Sequence, residues 1–372
     1  MYIRILSRRS IQNGAAAVCA AGVALVLLRY PDAVAGGISR GLAVCGTVII
    51  PTLFPFMLLA GWLAESPLCR HPGRGARWIA RRAFGLPGCC APAILMALVG
   101  GYPAGAVALS RLHRQGQITD QEAARMTAFC ICGGPGFIVG TVGNGLLHSA
   151  QAGWLLYAAQ AGVAVGIGIL LGRGHRRNAQ ERAPLPLPAR RPFAATVADT
   201  CGALLAMCGF VTAAAMALSL MEGIGVARRI AAWWGVTADA VSAGLAALLE
   251  VSSGCIALAG MPYAPLWLSL CIGWSGLSVQ GQLAAVLPQK RVLTGRFWLW
   301  RGVHGAVAAV VAAGLFWLFP PRQNTVGGLP TPLPYAVSAP ASGMLLLLCF
   351  LTMLCFSDFS EKKTGNVAKG VV

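Results

Sequence analysis

Apolar runs of spanning or near-spanning length recur along the whole chain, at 11–28, 41–64, 88–110, 123–147, 152–172, 196–221, 237–260, 264–287, 297–319 and 343–356. A helix needs about 20 such residues to cross the hydrocarbon core, so the pattern predicts an all-α polytopic membrane protein with roughly 8–10 membrane segments. Several runs are interrupted by helix breakers. Gly100-Gly101-Tyr102-Pro103-x-Gly105 and Gly133-Gly134-Pro135 break the first half of the chain. A weaker echo about 150 residues later holds Glu250, Ser252-Ser253-Gly254 and then Ser275-Gly276 with Gln280. Unpaired backbone groups cannot face lipid, so broken helices survive only where protein or a water-filled cavity satisfies them. Transporters place their substrate at such breaks.

Charge then corrects the count of crossings. With Arg4, Arg8 and Arg9 inside, ten simple crossings would put the basic linker 173–191 outside, against the positive-inside rule. The conflict disappears if 88–110 and 237–260, which carry the first break of each half, enter and leave on one side. Arg111, Arg114, Arg125, the linker, Lys290, Arg291, Arg296 and Lys362-Lys363 then all face the cytoplasm. The first half now begins outside and the second inside, which makes them inverted repeats. Leu95–Leu109 aligns with Leu245–Ala259, and Phe129-Cys130-Ile131 with Leu270-Cys271-Ile272. The expected organisation is an N-terminal membrane anchor (1–40), a first repeat (41–172), a basic Pro-rich cytoplasmic linker (173–195), a second repeat (196–319) and a poorly structured tail with one short apolar segment (320–372). The anchor imitates a signal peptide through Ala33-Val34-Ala35, but its apolar run is long for one and reads as an uncleaved span.

Composition agrees with a membrane body: 57% of the 372 residues are hydrophobic, 11% are charged, and the mean hydropathy is +0.69. The formal net charge of +18 raises nucleic acid as a partner, but the Lys and Arg sit in short loops between apolar runs, so lipid is the expected partner. The 13 cysteines lie mostly within apolar segments, among them Cys19, Cys45, Cys201, Cys208, Cys349 and Cys355. There they act as small hydrophobes. Cys130-x-Cys132 and Cys89-Cys90 read as packing rather than as metal ligands.

Glu250 is the only acidic residue in the middle of an apolar run. A carboxylate at that depth costs about 2.5–3.5 kcal/mol on insertion scales unless it is paired, protonated or solvated. Two roles stay open for it: a coupling-ion, proton or substrate site, or a structural hydrogen bond to Ser252, Ser253 or a facing broken backbone. The Gly-Pro clusters and Ser275-Gly276 can each end one half-helix and start another, exposing N–H groups whose dipole favours an anion, with Gln280 and Gln282 as added side-chain donors at the last break. His113, His148 and His304 read as interfacial, and the Trp residues as a belt. No Walker A, GxSxG or HExxH motif occurs, and an enzyme, a metal or a cofactor is not expected.

Taken together, TLFPFMLLAGWL (Thr52–Leu63), GGYPAGAVALSRLHRQGQITDQEAARM (Gly100–Met126), FCICGGPGFIVGTVG (Phe129–Gly143), LEVSSG (Leu249–Gly254) and GWSGLSVQGQ (Gly273–Gln282) resemble the YlbJ-like sporulation integral membrane proteins. That family belongs to the nucleoside-recognition, or Gate, group, and the resemblance covers roughly 40–320. It implies two Gate-like repeats and placement in the outer forespore membrane of an endospore former. It also implies a SpoVV-like role, passing dipicolinic acid or another small anion toward the forespore, with a proton or sodium as possible coupling ion. The candidate substrate-binding residues, read from the helix breaks and the buried acid, are Gly100, Gly101, Tyr102, Pro103, Gly105, Gly133, Gly134, Pro135, Glu250, Ser252, Ser253, Gly254, Ser275, Gly276 and Gln280. One departure is Ile131-Cys132-Gly133, where Asn, Ser or Thr is expected before the Gly-Pro, so backbone donors would serve there. A non-transporting spore-envelope assembly protein and a nucleoside or ion carrier of the Gate group are the competing readings.

Overall fold

The computed structural model describes residues 8–64, 72–175, 192–287, 293 and 295–321. Most of the linker, the Lys290-Arg291 loop, the 343–356 segment and nearly all of the tail lie outside the described residues. Among the described residues there are helices and turns and no strand. Pro31–Ala64, Gly88–Arg114, Ala150–His175, Phe193–Ile224 and Gly295–Leu318 are long and apolar enough to cross a membrane, and the bent pair Val226–Trp234 and Ala238–Leu249 adds a sixth if taken as one span. The chain is an all-α polytopic membrane protein.

Helix α1 (Arg8–Arg29) keeps Val18, Leu25 and Leu28 outward. Helices α2 (Pro31–Val44) and α3 (Ile50–Ala64) are continuous through a π-turn at Cys45–Ile49. Pro51 explains the turn: proline donates no N–H and its ring collides with a carbonyl one turn back, a misfit that a widened turn absorbs. This helix starts at Pro31, inside the stretch read from the sequence as anchor. It packs through Gly37 and Gly41 onto α8 (Phe193–Ile224), where an added Cβ would lie 2.6 Å from Met216 Cα and 2.6 Å from Thr212 Cα. Small residues four apart let two backbones touch, the usual contact where lipid leaves no hydrophobic drive between helices.

Helix α4 (Arg74–Phe84) buries Ala80 and Phe84 and exposes Trp78 and Ile79 beside four arginines, the build of a helix lying in the interface. Helix α5 (Ala91–Arg114) is folded back on itself at Gly101. A Cβ on Gly105 would lie 3.1 Å from Ala97 Cα, whereas eight residues of straight helix separate two positions by about 12 Å. Length alone therefore marks Gly88–Arg114 as a crossing, and its geometry makes it a hairpin. Helix α6 (Asp120–Thr127) opens on a capping box between Thr119 and Glu122. Residues 128–134 are not helical, and the π-helix Gly136–Leu146 and helix α7 (Ala150–Gly172) follow.

After α8 the same kinds of element recur in the same order. Helix α9 (Val226–Trp234) is amphipathic with Trp233 and Trp234 exposed, and the chain turns by 118° into α10 (Ala238–Leu249). Helix α11 (Val251–Leu258) doubles back from α10, since a Cβ on Gly254 would lie 2.4 Å from Ala247 Cα. Helices α12 (Ala264–Trp274) and α13 (Gly276–Val286) meet at Ser275, and α14 (Gly295–Leu318) closes the succession. Interfacial helix, broken hairpin, second broken pair and long helix thus occur twice, after α3 and after α8. Both segments expected to enter and leave on one side are hairpins.

Candidate functional site

Each half contributes two breaks, and within each half the two breaks touch. Gly101 sits at φ 75°, ψ −163°, a conformation closed to residues with a Cβ, and a Cβ there would lie 2.8 Å from Gly134 N. Pro103 follows in the first turn of the second half-helix, where its missing N–H leaves no bond unmade. In the second half Glu250 is extended (φ −149°, ψ 127°), ending α10 and capping α11. Its carboxylate accepts hydrogen bonds from Ser252 N at 2.9 Å and Ser253 N at 2.6 Å, with the residue 1% exposed. Ser275 (φ 69°) and Gly276 (φ 72°) are both left-handed, and a Cβ on Gly276 would stand 3.0 Å from Glu250 Cα.

Backbone carbonyls at and near the helix breaks receive side-chain donors from the opposite half. Arg301 on α14 donates through Nη2 to Ala128 O at 2.6 Å and through Nη1 to Ile131 O. In the other direction, Gln160 on α7 donates to Ser269 O at 2.6 Å and Tyr102 Oη to Ile272 O at 2.5 Å. Ala128 and Ile131 align with Ser269 and Ile272 in the register read from the sequence, so carbonyls at equivalent positions receive side-chain donors in both halves, although Ser269 lies within its helix and Ala128 at the end of its own. His304 joins the two sets, its Nδ1 3.2 Å from Arg301 Nη2 and its Nε2 3.1 Å from Gln160 O. Arg301 and His304 are completely buried, which places His304 in the core and not at the interface expected for it.

One cleft with ≈ 570 Å³ of empty space, its open mouth included, lies where these breaks converge. It is lined by the broken backbone of Gly100 to Pro103, Gly134 and Gly136, by Glu250, Ser252 and Gln282, and by apolar side chains, among them Ile49, Leu53, Phe56, Met57, Phe137, Met207, Val211 and Val279. An apolar recess with a few placed polar groups is the usual form of a small-molecule site. No family model matches the chain, and no solved structure matches it. It is similar to the sporulation integral membrane protein YlbJ of Bacillus subtilis (strain 168). The two are 24% identical over 320 residues, covering 76% of this chain and 78% of the relative.

Of the residues singled out from the sequence, Gly100, Gly101, Tyr102, Pro103, Gly134, Glu250 and Ser252 line the cleft. The others stand behind it. Gly105 presses on Cys130 O, Gly133 on Ile138 and Ile272, Gly254 on Ala247, and Ser275-Gly276 back Glu250. Gln280 donates to Trp274 O, capping the end of α12. Pro135 N-caps the π-helix, and Ser253 supplies its backbone N–H to Glu250. Cys130 and Cys132 are buried free thiols, and no group of three potential ligands could hold a metal among the described residues.

Sequence reasoning missed Arg301 and Gln160 as site residues, whereas Gln282, read as an added donor beside Gln280, lines the cleft. A signal existed for Arg301, because a charge within the apolar run 297–319 is as costly as Glu250 in its own run.

Proposed function

We propose that the chain is a secondary transporter of a small anion in the membrane of a sporulating cell. The observation that carries this reading is the convergence of the helix breaks of both halves on one cleft with a buried carboxylate in its wall. The halves act as inverted repeats of the Gate type and rock about that cleft, giving access to one side at a time. Glu250 holds the N-terminus of α11 as an anion would. A proton on Glu250 weakens its bonds to Ser252 N and Ser253 N and frees those donors for the cargo. Uptake is then coupled to protons. The similarity to a sporulation protein supports the cell type, and dipicolinate as cargo, in a SpoVV-like role in the outer forespore membrane, is the finer reading that the family resemblance implies.

The test is uptake of labelled dipicolinate into proteoliposomes with and without a proton or sodium gradient. Saturable uptake that rises with an imposed proton gradient is expected. Inert vesicles holding folded protein would overturn the transport reading, and sodium dependence without proton dependence would overturn the role of Glu250. Cysteine-accessibility labelling checks the repeat arrangement. The Arg111–Glu122 loop and the 173–191 linker are expected on the same, cytoplasmic side, and opposite sides would defeat the inverted arrangement.

A further inference from the structure

The polar groups around the cleft fall into two sets. The Glu250 carboxylate is held by the N–H groups of its own helix, and Gln280 spends its Nε2 donor on Trp274 O, its Oε1 alone left without a partner among the described residues. Gln282, on the same helix α13, faces the cleft instead. Its Nε2 is shut off from solvent and has no hydrogen-bond partner among the described residues. The lining beside it is apolar: Phe56, Met207, Val211 and Val279. A donor enclosed in this way has given up water without gaining an acceptor, a cost that native structures seldom leave standing. The unmade bond is completed when Gln282, which lines the cleft, turns its amide toward an acceptor on a molecule bound there.

We infer that Gln282 orients the cargo, donating from Nε2 to an acceptor oxygen of the small anion. The inference rests on the transport reading above for the class of cargo. It assigns the contact to Gln282 and leaves Gln280 as part of the frame, although both side chains belong to the same sequence motif. Because an amide is neutral, it discriminates by placing a donor and adds no charge to the wall that already holds Glu250.

The test uses the purified full-length protein and its thermal stabilisation by dipicolinate, isophthalate and benzoate, with uridine as a neutral probe. A carboxylate is expected to raise the melting temperature of the wild type. Q282L should weaken that response by roughly tenfold or more in apparent affinity. Q282E, isosteric but acceptor-only, should abolish it. Unliganded Q282L should melt no lower than wild type, since no existing bond is removed. Should Q282L fail to fold, Q282E decides the matter. Equal carboxylate affinity in wild type and variant, or a wild type that answers to uridine alone or to no probe, overturns the inference. Binding that depends on Gln282 without uptake into vesicles would leave this assignment standing and sink the transport reading. Unchanged uptake by Q282L would do the reverse.

Discussion

The first break of each half meets one requirement, to turn a helix back inside a membrane, by opposite means. In the first half the turn is made by absence: Gly101 takes a conformation that no Cβ allows and lets Gly134 come within contact of its backbone. In the second half it is made by a charge: Glu250 adopts an ordinary extended conformation and satisfies the N–H groups of α11 with its carboxylate. The alignment of Leu95–Leu109 with Leu245–Ala259 sets Gly100 against Glu250. No acid fits at Gly100, since its Cβ alone would lie 2.4 Å from Ala104 Cβ and 2.8 Å from Ala60 Cβ. Close packing removed the cap on one side and permitted it on the other. The cleft is unequal as a result, with one wall of bare backbone and one that holds a carboxyl group.

Substitutions can break this comparison, and the largest effect is expected at the hairpin contact of the first half. Gly105→Leu places a Cβ 2.1 Å from Cys130 O and 2.9 Å from Ala97 Cβ, with backbone on one side and a helix on the other. Folded protein should be lost, seen as disappearance of the monodisperse peak in size-exclusion chromatography. A well-folded variant would mean that α5 is not doubled back.

Next comes the reciprocal capping. Arg301→Ala strips the caps from Ala128 O and Ile131 O together and should lower stability by about 2–4 kcal/mol. Gln160→Ala, which uncaps the equivalent Ser269 carbonyl, should cost less, about 1–2 kcal/mol. Thermal melting of both variants in detergent gives the ranking, and the reverse order would show that the two caps are not equivalent devices. Arg301→Lys should recover only part of the loss, because an ammonium on a flexible stem lacks the planar fork that meets two carbonyls at once.

A change at Glu250 sharpens the contrast between the breaks. In Glu250→Gln the side-chain oxygen can still accept one of the two N–H groups, but the amide nitrogen cannot accept the other. The loss should be about 1–2 kcal/mol of stability. Uptake should fall further than the amount of folded protein does, and what remains should no longer respond to pH. The measurement is uptake against pH at matched membrane levels. Profiles of equal height and shape for the two proteins would reduce Glu250 to a helix cap and leave the backbone of the first half as the anion site.

The smallest effect belongs to Tyr102→Phe. It removes one hydrogen bond to Ile272 O while keeping the ring at the cleft, for a loss of about 1 kcal/mol read in the same melting experiment. A loss as large as that of Arg301→Ala would make this single neutral bond between the halves the equal of the double guanidinium contact.

Much of this arrangement was legible in the chain. The membrane class follows from apolar runs that no soluble core requires. The breaks at Gly101, Gly134, Glu250 and Ser275 follow from residues that a lipid-facing helix cannot tolerate. The clash between charge placement and a simple count of crossings pointed to the two hairpins, because positive residues and hydrocarbon length impose separate constraints on one path. The caps were not legible in the same way. Arg301 lies 170 positions from the Ile131 carbonyl it serves, and Gln160 lies 109 from Ser269. No local pattern connects groups that far apart.

The sequence by itself determined where helices must stop, since helix termination is a property of a few neighbouring residues and of the solvent around them. Tertiary structure alone decided what becomes of the freed backbone groups. It brought the break of one half under the side chains of the other and set Gln282 in the lining of the cleft with its donor unused. Those outcomes depend on which surfaces meet when the halves pack, and the energy that selects them comes from burying polar groups with partners that chain proximity does not supply.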